Sequence, residues 1–165
     1  MNPAHFYDLS YTYYSSFIWA NYIQRLSIDY STFEDNRVLM PLGTLINLPV
    51  IYIQGFSDQI FINGSEFNYN MGTTGGALSI LASGATTTNS STEHIHIIGS
   101  NFKYNLATTA GGAVYIKADS SPVNVLIENC NFDFNVGFSQ TQGSAVYYEY
   151  LNTLISSDLI YHTTI

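Results

Sequence analysis

One phrase recurs along this chain and restricts what it can fold into. The segment FNYNMGTTGGALSI (67–80) returns as FKYNLATTAGGAVYI (102–116) and, less completely, as FDFNVGFSQTQGSAVYY (132–148). Each copy begins with Phe, two variable residues and Asn, and then runs through small residues to an aliphatic one. Recurrence at a period of roughly 30–35 residues indicates stacked supersecondary units, because a single unit of this size cannot bury its own apolar face.

Alignment on the Phe-x-x-Asn phrase places similar residues in columns along the chain. Apolar residues before each Phe alternate at a spacing of two, which predicts a strand with one buried face. The columns are Phe33, Phe67, Phe102 and Phe132; Asn36, Asn70, Asn105 and Asn135; Ile28, Ile62, Ile97 and Ile127; Leu26, Ile60, Ile95 and Val125; and the small residues Ser31, Ser65, Ser100 and Cys130.

The second half of the phrase also aligns. Residues 75–78 (GGAL) match 111–114 (GGAV) and 143–146 (GSAV), with weaker copies at 42–45 (LGTL) and 15–18 (SSFI). The repeat thus covers nearly the whole chain, and we predict a single all-β domain over residues 1–165, a parallel β-helix (solenoid) of about five coils. Each coil is expected to contribute two or three short strands, with coils about 4.8 Å apart. The Phe and Asn columns would then form internal structural ladders.

The paired motifs F-x-x-N and G-G-A-[ILV] resemble the repeats of the chlamydial polymorphic outer-membrane proteins and similar repeats in surface proteins of other microbes, including protists. The best matches are FNYN…GGAL and FKYN…GGAV; FDFN…GSAV is partial and FEDN…LGTL is weaker, and together they span roughly residues 26–148. The resemblance implies a pectin-lyase-like right-handed β-helix with a surface-exposed adhesive or structural role. The membrane part of that family has no counterpart in these repeats and is not carried over.

Composition restricts the partners of the chain. Only 10% of residues are charged, against about 25% in ordinary globular proteins. Twelve acidic and four basic residues give a net charge of −8, which repels phosphate backbones and argues against nucleic acid as a partner. The charge-free interval 38–56 contains Pro41 and Pro49 and fits the repeat better than a transmembrane segment. The single cysteine, Cys130, permits no internal disulfide, and we interpret it as a small buried filler.

β-helices also host carbohydrate-active enzymes, and four acidic residues lie near the Phe column. They are Glu34, Asp35, Glu66 and Asp133. The column directly after Phe reads Glu, Asn, Lys, Asp, so no two acids fall on adjacent coils as a glycosidase pair requires. We therefore assign no catalytic residue, metal or cofactor. The alternative function is a polysaccharide lyase or hydrolase, or a non-catalytic module whose outward Tyr rings stack on sugars.

Four polar positions are candidates for roles outside the ladders. His94 and His96 share one side of a strand, and without a third ligand nearby we interpret them as exposed surface histidines. Asn63 and Asn89 begin sequons and are candidate N-glycosylation sites. Asn89 lies in the polar segment ASGATTTNSSTEH (82–94), which is expected to protrude, and Asn63 is expected to face outward.

Both ends of the chain read as parts of coils. Phe6 fits the Phe column, whereas Ile155 and Ile160 fit the Ile and Phe columns. Two explanations remain open: a segment of a longer chain, or a subunit whose ends stack head to tail on other subunits. The predicted function is an extracellular or cell-surface structural or adhesive β-solenoid that assembles end to end or belongs to a large surface protein. Expected partners are other copies or a continuing β-helix at the open ends, and glycans.

Overall fold

A computed structural model describes residues 5–7, 16–36, 49–82, 95–119, 123–138, 143 and 145–150 of the chain. These residues contain fifteen β-strands and no helix. The strands are β1 (His5–Tyr7), β2 (Ile18–Asp29), β3 (Thr32–Glu34), β4 (Ile51–Asn63), β5 (Glu66–Asn68), β6 (Met71–Thr74), β7 (Leu78–Ala82), β8 (Ile95–Ile98), β9 (Asn101–Lys103), β10 (Leu106–Ala110), β11 (Val114–Ala118), β12 (Val125–Glu128), β13 (Asn131–Asp133), β14 (Val136–Gly137) and β15 (Val146–Tyr150).

The strands form three curled sheets in which every pairing is parallel. The Phe sheet has five strands in the order β1-β3-β5-β9-β13. The short sheet has the order β14-β10-β6. The seven-stranded sheet has two halves that share the long strands β2 and β4: its first half continues from β4 to β7, β11 and β15, and its second half continues to β8 and β12. This parallel all-β architecture is compatible with a β-helix-like fold.

The register in the second half of the seven-stranded sheet follows the apolar columns of the sequence. Ile28 lies opposite Ile62, which lies opposite Ile97, and Ile97 lies opposite Ile127. Ile62 and Ile97 are fully buried. A one-residue slip would turn this buried face toward solvent, so burial of the alternating residues specifies the register.

The number of strands differs between repeats. From Ile51 to Thr74 the chain forms three strands, β4 to β6, as predicted for a coil. Between Leu78 and Ala110 the chain forms four strands, β7 to β10, before the register recurs with Val114 opposite Leu78. The difference is that β7 and β8 both pair with the single long strand β4. Only residues 99–100 separate β8 from β9, and only residues 104–105 separate β9 from β10. The Phe phrase is therefore a three-residue strand of its own.

One alignment from the sequence is wrong. The segment 42–45 was matched to GGAL, but Ile51 occupies the position opposite Leu78, and the Ile51 N–H donates to Ala77 O at 2.9 Å. Buried Pro49 and Val50 thus stand where other repeats have small residues. The apolar run of β4 decides this register, and residues 42–45 lie outside the described part of the chain.

The two positions of the Gly-Gly pair require glycine for different reasons. Gly75, Gly111 and Gly143 have positive φ values of 63°, 59° and 42°, a region that L side chains rarely adopt. A Cβ on Gly111 would also lie 2.2 Å from Val114 O. Gly76 has no such torsion, but a Cβ there would lie 2.4 Å from Gly112 O of the neighbouring repeat. The first glycine permits a turn, and the second permits close approach of two backbones.

Candidate functional site

The Asn residues that follow the Phe-sheet strands form a continuous buried ladder of side-chain amides. Asn70 Nδ2 donates to Asn105 Oδ1 at 3.0 Å and to Phe33 O at 3.0 Å. Asn70 Oδ1 accepts from both the Nδ2 and the backbone N–H of Asn36, at 2.9 and 3.2 Å. Four hydrogen bonds exhaust the capacity of one carboxamide. The interior rungs therefore have no donor or acceptor left for a substrate.

The ladder continues with the same geometry to Asn135. Asn105 Nδ2 donates to Asn135 Oδ1 at 2.9 Å and to Phe67 O at 2.8 Å. Asn135 Nδ2 donates in turn to Phe102 O at 2.8 Å. At the other end the buried Asn36 Oδ1 has no hydrogen-bond partner among the described residues. Interior rungs are thus fully bonded, and the first one is not.

The residue before each ladder Asn turns the chain so that the amide points inward. Asp35, Tyr69, Tyr104 and Phe134 have φ values of 54°, 57°, 54° and 52°. Such values are uncommon for residues other than glycine and cost free energy. The ladder hydrogen bonds offset this cost, because each turn presents one Asn to its two neighbours.

The Phe side chains form a second internal stack beside the amide ladder. Ring centroids of Phe33 and Phe67 are 5.0 Å apart, and the next two separations, to Phe102 and to Phe132, are both 4.8 Å. Adjacent ring planes differ by no more than 5°. Phe67 and Phe102 are fully buried, whereas Phe132 is only partly buried. The stack is thus covered in its interior and open at Phe132.

The small column before Phe is a hydroxyl ladder that ends in a thiol. Ser100 Oγ accepts the Ser65 N–H at 3.1 Å and donates to Ile98 O at 3.0 Å. Cys130 Sγ takes the equivalent place, 3.3 Å from both Ile97 O and Glu128 O. Burial raises the pKa of the Cys130 thiol. A thiol held protonated is a poor nucleophile, so the position serves packing and local hydrogen bonding.

An outer aromatic stack was not foreseen from the sequence. Tyr69 and Tyr104 stack with centroids 4.9 Å apart, and Tyr104 and Phe134 with centroids 5.0 Å apart. The signal was present in the residue before each ladder Asn, which is aromatic in three repeats. Because the rings cover one another's faces, this stack presents ring edges and hydroxyl groups to the side. Sugar stacking on a ring face requires a free face, which the interior Tyr104 lacks.

In the column directly after Phe, the two acidic residues are not on neighbouring strands. Glu34 lies opposite Asn68, Asn68 opposite Lys103, and Lys103 opposite Asp133. Lys103 Nζ lies 3.8 Å from Asp133 Oδ2, and both side chains are exposed. Two strands therefore separate Glu34 from Asp133. No group of three His, Cys, Asp or Glu side chains in the described ranges is arranged to hold a metal ion.

The remaining predicted positions fall on the outside of the seven-stranded sheet or beyond the described residues. His96 is half-buried and packs on Phe61 with ring centroids 5.8 Å apart, so it is less exposed than predicted. Asn63 is half-buried, and its Nδ2 donates to Asp29 Oδ1 at 3.4 Å. His94, Asn89, Ile155 and Ile160 lie outside the described residues.

A column of aromatic residues crosses the outer face of the first half of the seven-stranded sheet. The register aligns Trp19, Tyr52, Ser79, Tyr115 and Tyr147. Trp19 is 55% exposed and meets the Tyr52 ring edge to face at 5.4 Å. Burial, and next a hydrogen bond from its hydroxyl to Glu149 Oε2 at 3.0 Å, raise the pKa of Tyr115. Trp19 is the member with an accessible ring.

The fold defines a class of parallel all-β proteins whose inward side chains stack from repeat to repeat. No protein-family model, curated protein or solved structure matches the chain. Within the described ranges, no helix is long and apolar enough to cross a membrane.

Proposed function

We propose that the chain is a right-handed parallel β-helix of about five coils that serves as an extracellular structural or adhesive element. The observation that carries the proposal is the amide ladder Asn36–Asn70–Asn105–Asn135, in which each interior rung uses its whole hydrogen-bonding capacity on neighbouring repeats. Because the buried Asn carboxamides bond to neighbouring repeats, their role is structural. The outward surface then carries any recognition.

The distribution of variable residues supports a scaffold role. Inward positions repeat Phe, Ile and Asn, whereas the outward column after Phe changes from Glu34 to Asn68, Lys103 and Asp133. This column contains one exposed ion pair, of a kind that contributes little to stability. Conserving the interior while varying the exterior is how a stacked scaffold presents different surfaces on one frame.

A second candidate is a non-catalytic glycan-binding module, and the exposed ring of Trp19 favours it. Trp19 lies at the outer edge of its aromatic column and has Tyr52 beneath it. An exposed indole is suited to stacking on the apolar face of a sugar. We propose Trp19 as the sugar-stacking residue; in the outer aromatic stack the faces of the interior Tyr104 are covered.

Electron microscopy and fibre diffraction of the purified chain test the scaffold proposal. Rods or filaments with an axial reflection near ~4.8 Å would support stacked coils. Compact particles without that reflection would overturn the proposal. Incubation with pectic and other acidic polysaccharides tests the alternative enzymatic function. If the protein shortens the polysaccharide and this activity is lost in Glu34→Gln or Asp133→Asn, the protein is a hydrolase or lyase and the scaffold function is overturned.

Surface exposure requires its own measurement. Protease treatment of intact source cells, followed by detection of the chain, is expected to remove it while internal proteins persist. Persistence of the chain under these conditions would contradict an extracellular location.

A matched glycan-binding comparison of the wild-type chain with Trp19→Ala and Phe61→Ala separates specific sugar stacking from general loss of an aromatic residue.

A further inference from the structure

The outer aromatic stack contains two neighbouring phenols that the backbone holds in register. The members of its column, in chain order, are Asp35, Tyr69, Tyr104 and Phe134. Among these described residues, one pair of neighbours consists of two tyrosines. The ring centroids of Tyr69 and Tyr104 are 4.9 Å apart, and the ring planes differ by 3°. The amide bond between Asn70 and Asn105, the residues that follow, fixes this register.

This tyrosine pair differs from a second stacked pair in its access to solvent. Tyr69 and Tyr104 are 43% and 46% exposed. Tyr115 and Tyr147 also stack, with centroids 5.6 Å apart, but Tyr115 is only 8% exposed. A dissolved oxidant can therefore reach the hydroxyl groups and outer ring edges of the first pair, whereas protein covers the Tyr115 ring.

We propose that Tyr69 and Tyr104 form an oxidative cross-linking site, at which a peroxidase acting with hydrogen peroxide joins the two rings as dityrosine. Each phenol loses one electron and its hydroxyl proton. The two radicals then form a bond between ring carbons ortho to oxygen, one Cε atom from each residue. The hydrogen on each of these carbons moves to oxygen and restores the phenol. Two hydrogen atoms leave in all, and one hydrogen peroxide takes them up as two water molecules.

The fold supplies the proximity that this coupling requires. Holding two reactants side by side replaces a diffusional encounter with an intramolecular step. To form the bond from a centroid distance of 4.9 Å the rings must tilt toward each other, and their exposed outer edges leave room for this motion. The product would join two successive repeats covalently, so it would restrict the unfolded chain as a disulfide does.

Oxidation of the full chain by peroxidase and hydrogen peroxide, at low protein concentration, tests the site. The monomer is isolated under denaturing conditions, so that links between molecules are excluded, and mass spectrometry of its peptides locates any link. We expect a monomer lighter by two hydrogen atoms, with dityrosine fluorescence and a link between Tyr69 and Tyr104. The same oxidation in urea is the conformational control, in which this link should be lost among other tyrosine products.

Two variants separate phenol chemistry from ring stacking. Tyr104→Phe keeps a ring in the stack, as Phe134 already does at 5.0 Å from Tyr104, and it should abolish the link. Tyr69→Phe combined with Phe134→Tyr moves the phenol pair one strand along, so it should restore a link, now between positions 104 and 134. Circular dichroism checks that both variants fold, and the wild-type peptide map decides the question if either does not.

Three results would overturn the proposal. The first is a native wild-type monomer that oxidation leaves unlinked between Tyr69 and Tyr104. The second is a link that forms equally well in urea, because the fold would then contribute no proximity. The third is a link between Tyr115 and Tyr147 of equal yield, because exposure would then not select the site. Failure of the folded double variant to restore a link would likewise contradict it.

Discussion

Asn70 and Asn105 share an amide–amide hydrogen bond of 3.0 Å, although 35 residues separate them along the chain. Such a bond can form only when the chain returns to the same place one repeat later. The turn residues Tyr69 and Tyr104, both with positive φ, place the two amides in equivalent positions. Predictions about stability therefore concern the repeat geometry more than any single side chain.

Replacing Asn105 by Ala tests the ladder. The substitution leaves the Asn70 N–H and Nδ2 without their acceptor and Phe67 O without its donor. Buried polar groups left unpaired cost about 1–3 kcal/mol each, and three groups lose a partner, so we expect the free energy of unfolding to fall by at least about 3 kcal/mol. Urea unfolding followed by circular dichroism measures it. The control is Asn101→Ala, at a partly exposed position directly before Phe102. Equal losses of unfolding free energy in the two variants would contradict a special role of the ladder.

Gly111 begins the GGA segment, and Gly99, between β8 and β9, is its matched control. Both have positive φ, 59° and 57°, so Ala at either position carries a similar torsional cost of about 1–2 kcal/mol. Only Gly111 adds a steric conflict, because its Cβ would lie 2.2 Å from Val114 O, whereas the nearest atom to a Gly99 Cβ lies 4.0 Å away. Thermal unfolding should show a markedly larger loss for Gly111→Ala. Similar melting temperatures would contradict this assignment.

The buried hydroxyl of Tyr115 is expected to make the folded chain less stable at alkaline pH. Burial and the Glu149 contact raise the pKa of its hydroxyl in the folded state, whereas the unfolded residue titrates near pH ~10. Above that pH the unfolded state binds fewer protons than the folded state, so the free energy of unfolding falls as pH rises. The contribution is fully present below pH ~10. Urea unfolding from neutral to alkaline pH should show a shallower decline for Tyr115→Phe than for the wild-type chain. Parallel declines would contradict it.

Cys130 should behave as a serine equivalent. Its thiol occupies the ladder position of Ser100, and burial raises its pKa. Reaction with a disulfide reagent at neutral pH is expected to be much slower in the native chain than in urea, because the thiolate reacts. Cys130→Ser should change the free energy of unfolding by less than about 1 kcal/mol, whereas Cys130→Val removes the hydrogen bonds to the carbonyl groups. Fast native labelling would contradict this description.

Most of the register was predictable from residues whose type repeats. The Ile28, Ile62, Ile97 and Ile127 column pairs as aligned, since an alternating apolar face has one favourable register. Phe6 also lies opposite Phe33, as the Phe column predicts. The alignment of residues 42–45 with the GGAL segment was wrong: the match there was weak, and Ile51 lies opposite Leu78.

The amino-acid sequence by itself determined the period, the all-β class and which residues share a column, because these follow from local alternation and recurrence. Tertiary structure decided the division of one long strand into β7 and β8, the turns at Tyr69 and Tyr104 with positive φ, and the outer aromatic stack. It also placed the Tyr30 ring over Gly64, where a Cβ would lie 2.7 Å from that ring. These features depend on contacts between residues about one repeat apart, and no local propensity encodes such distances.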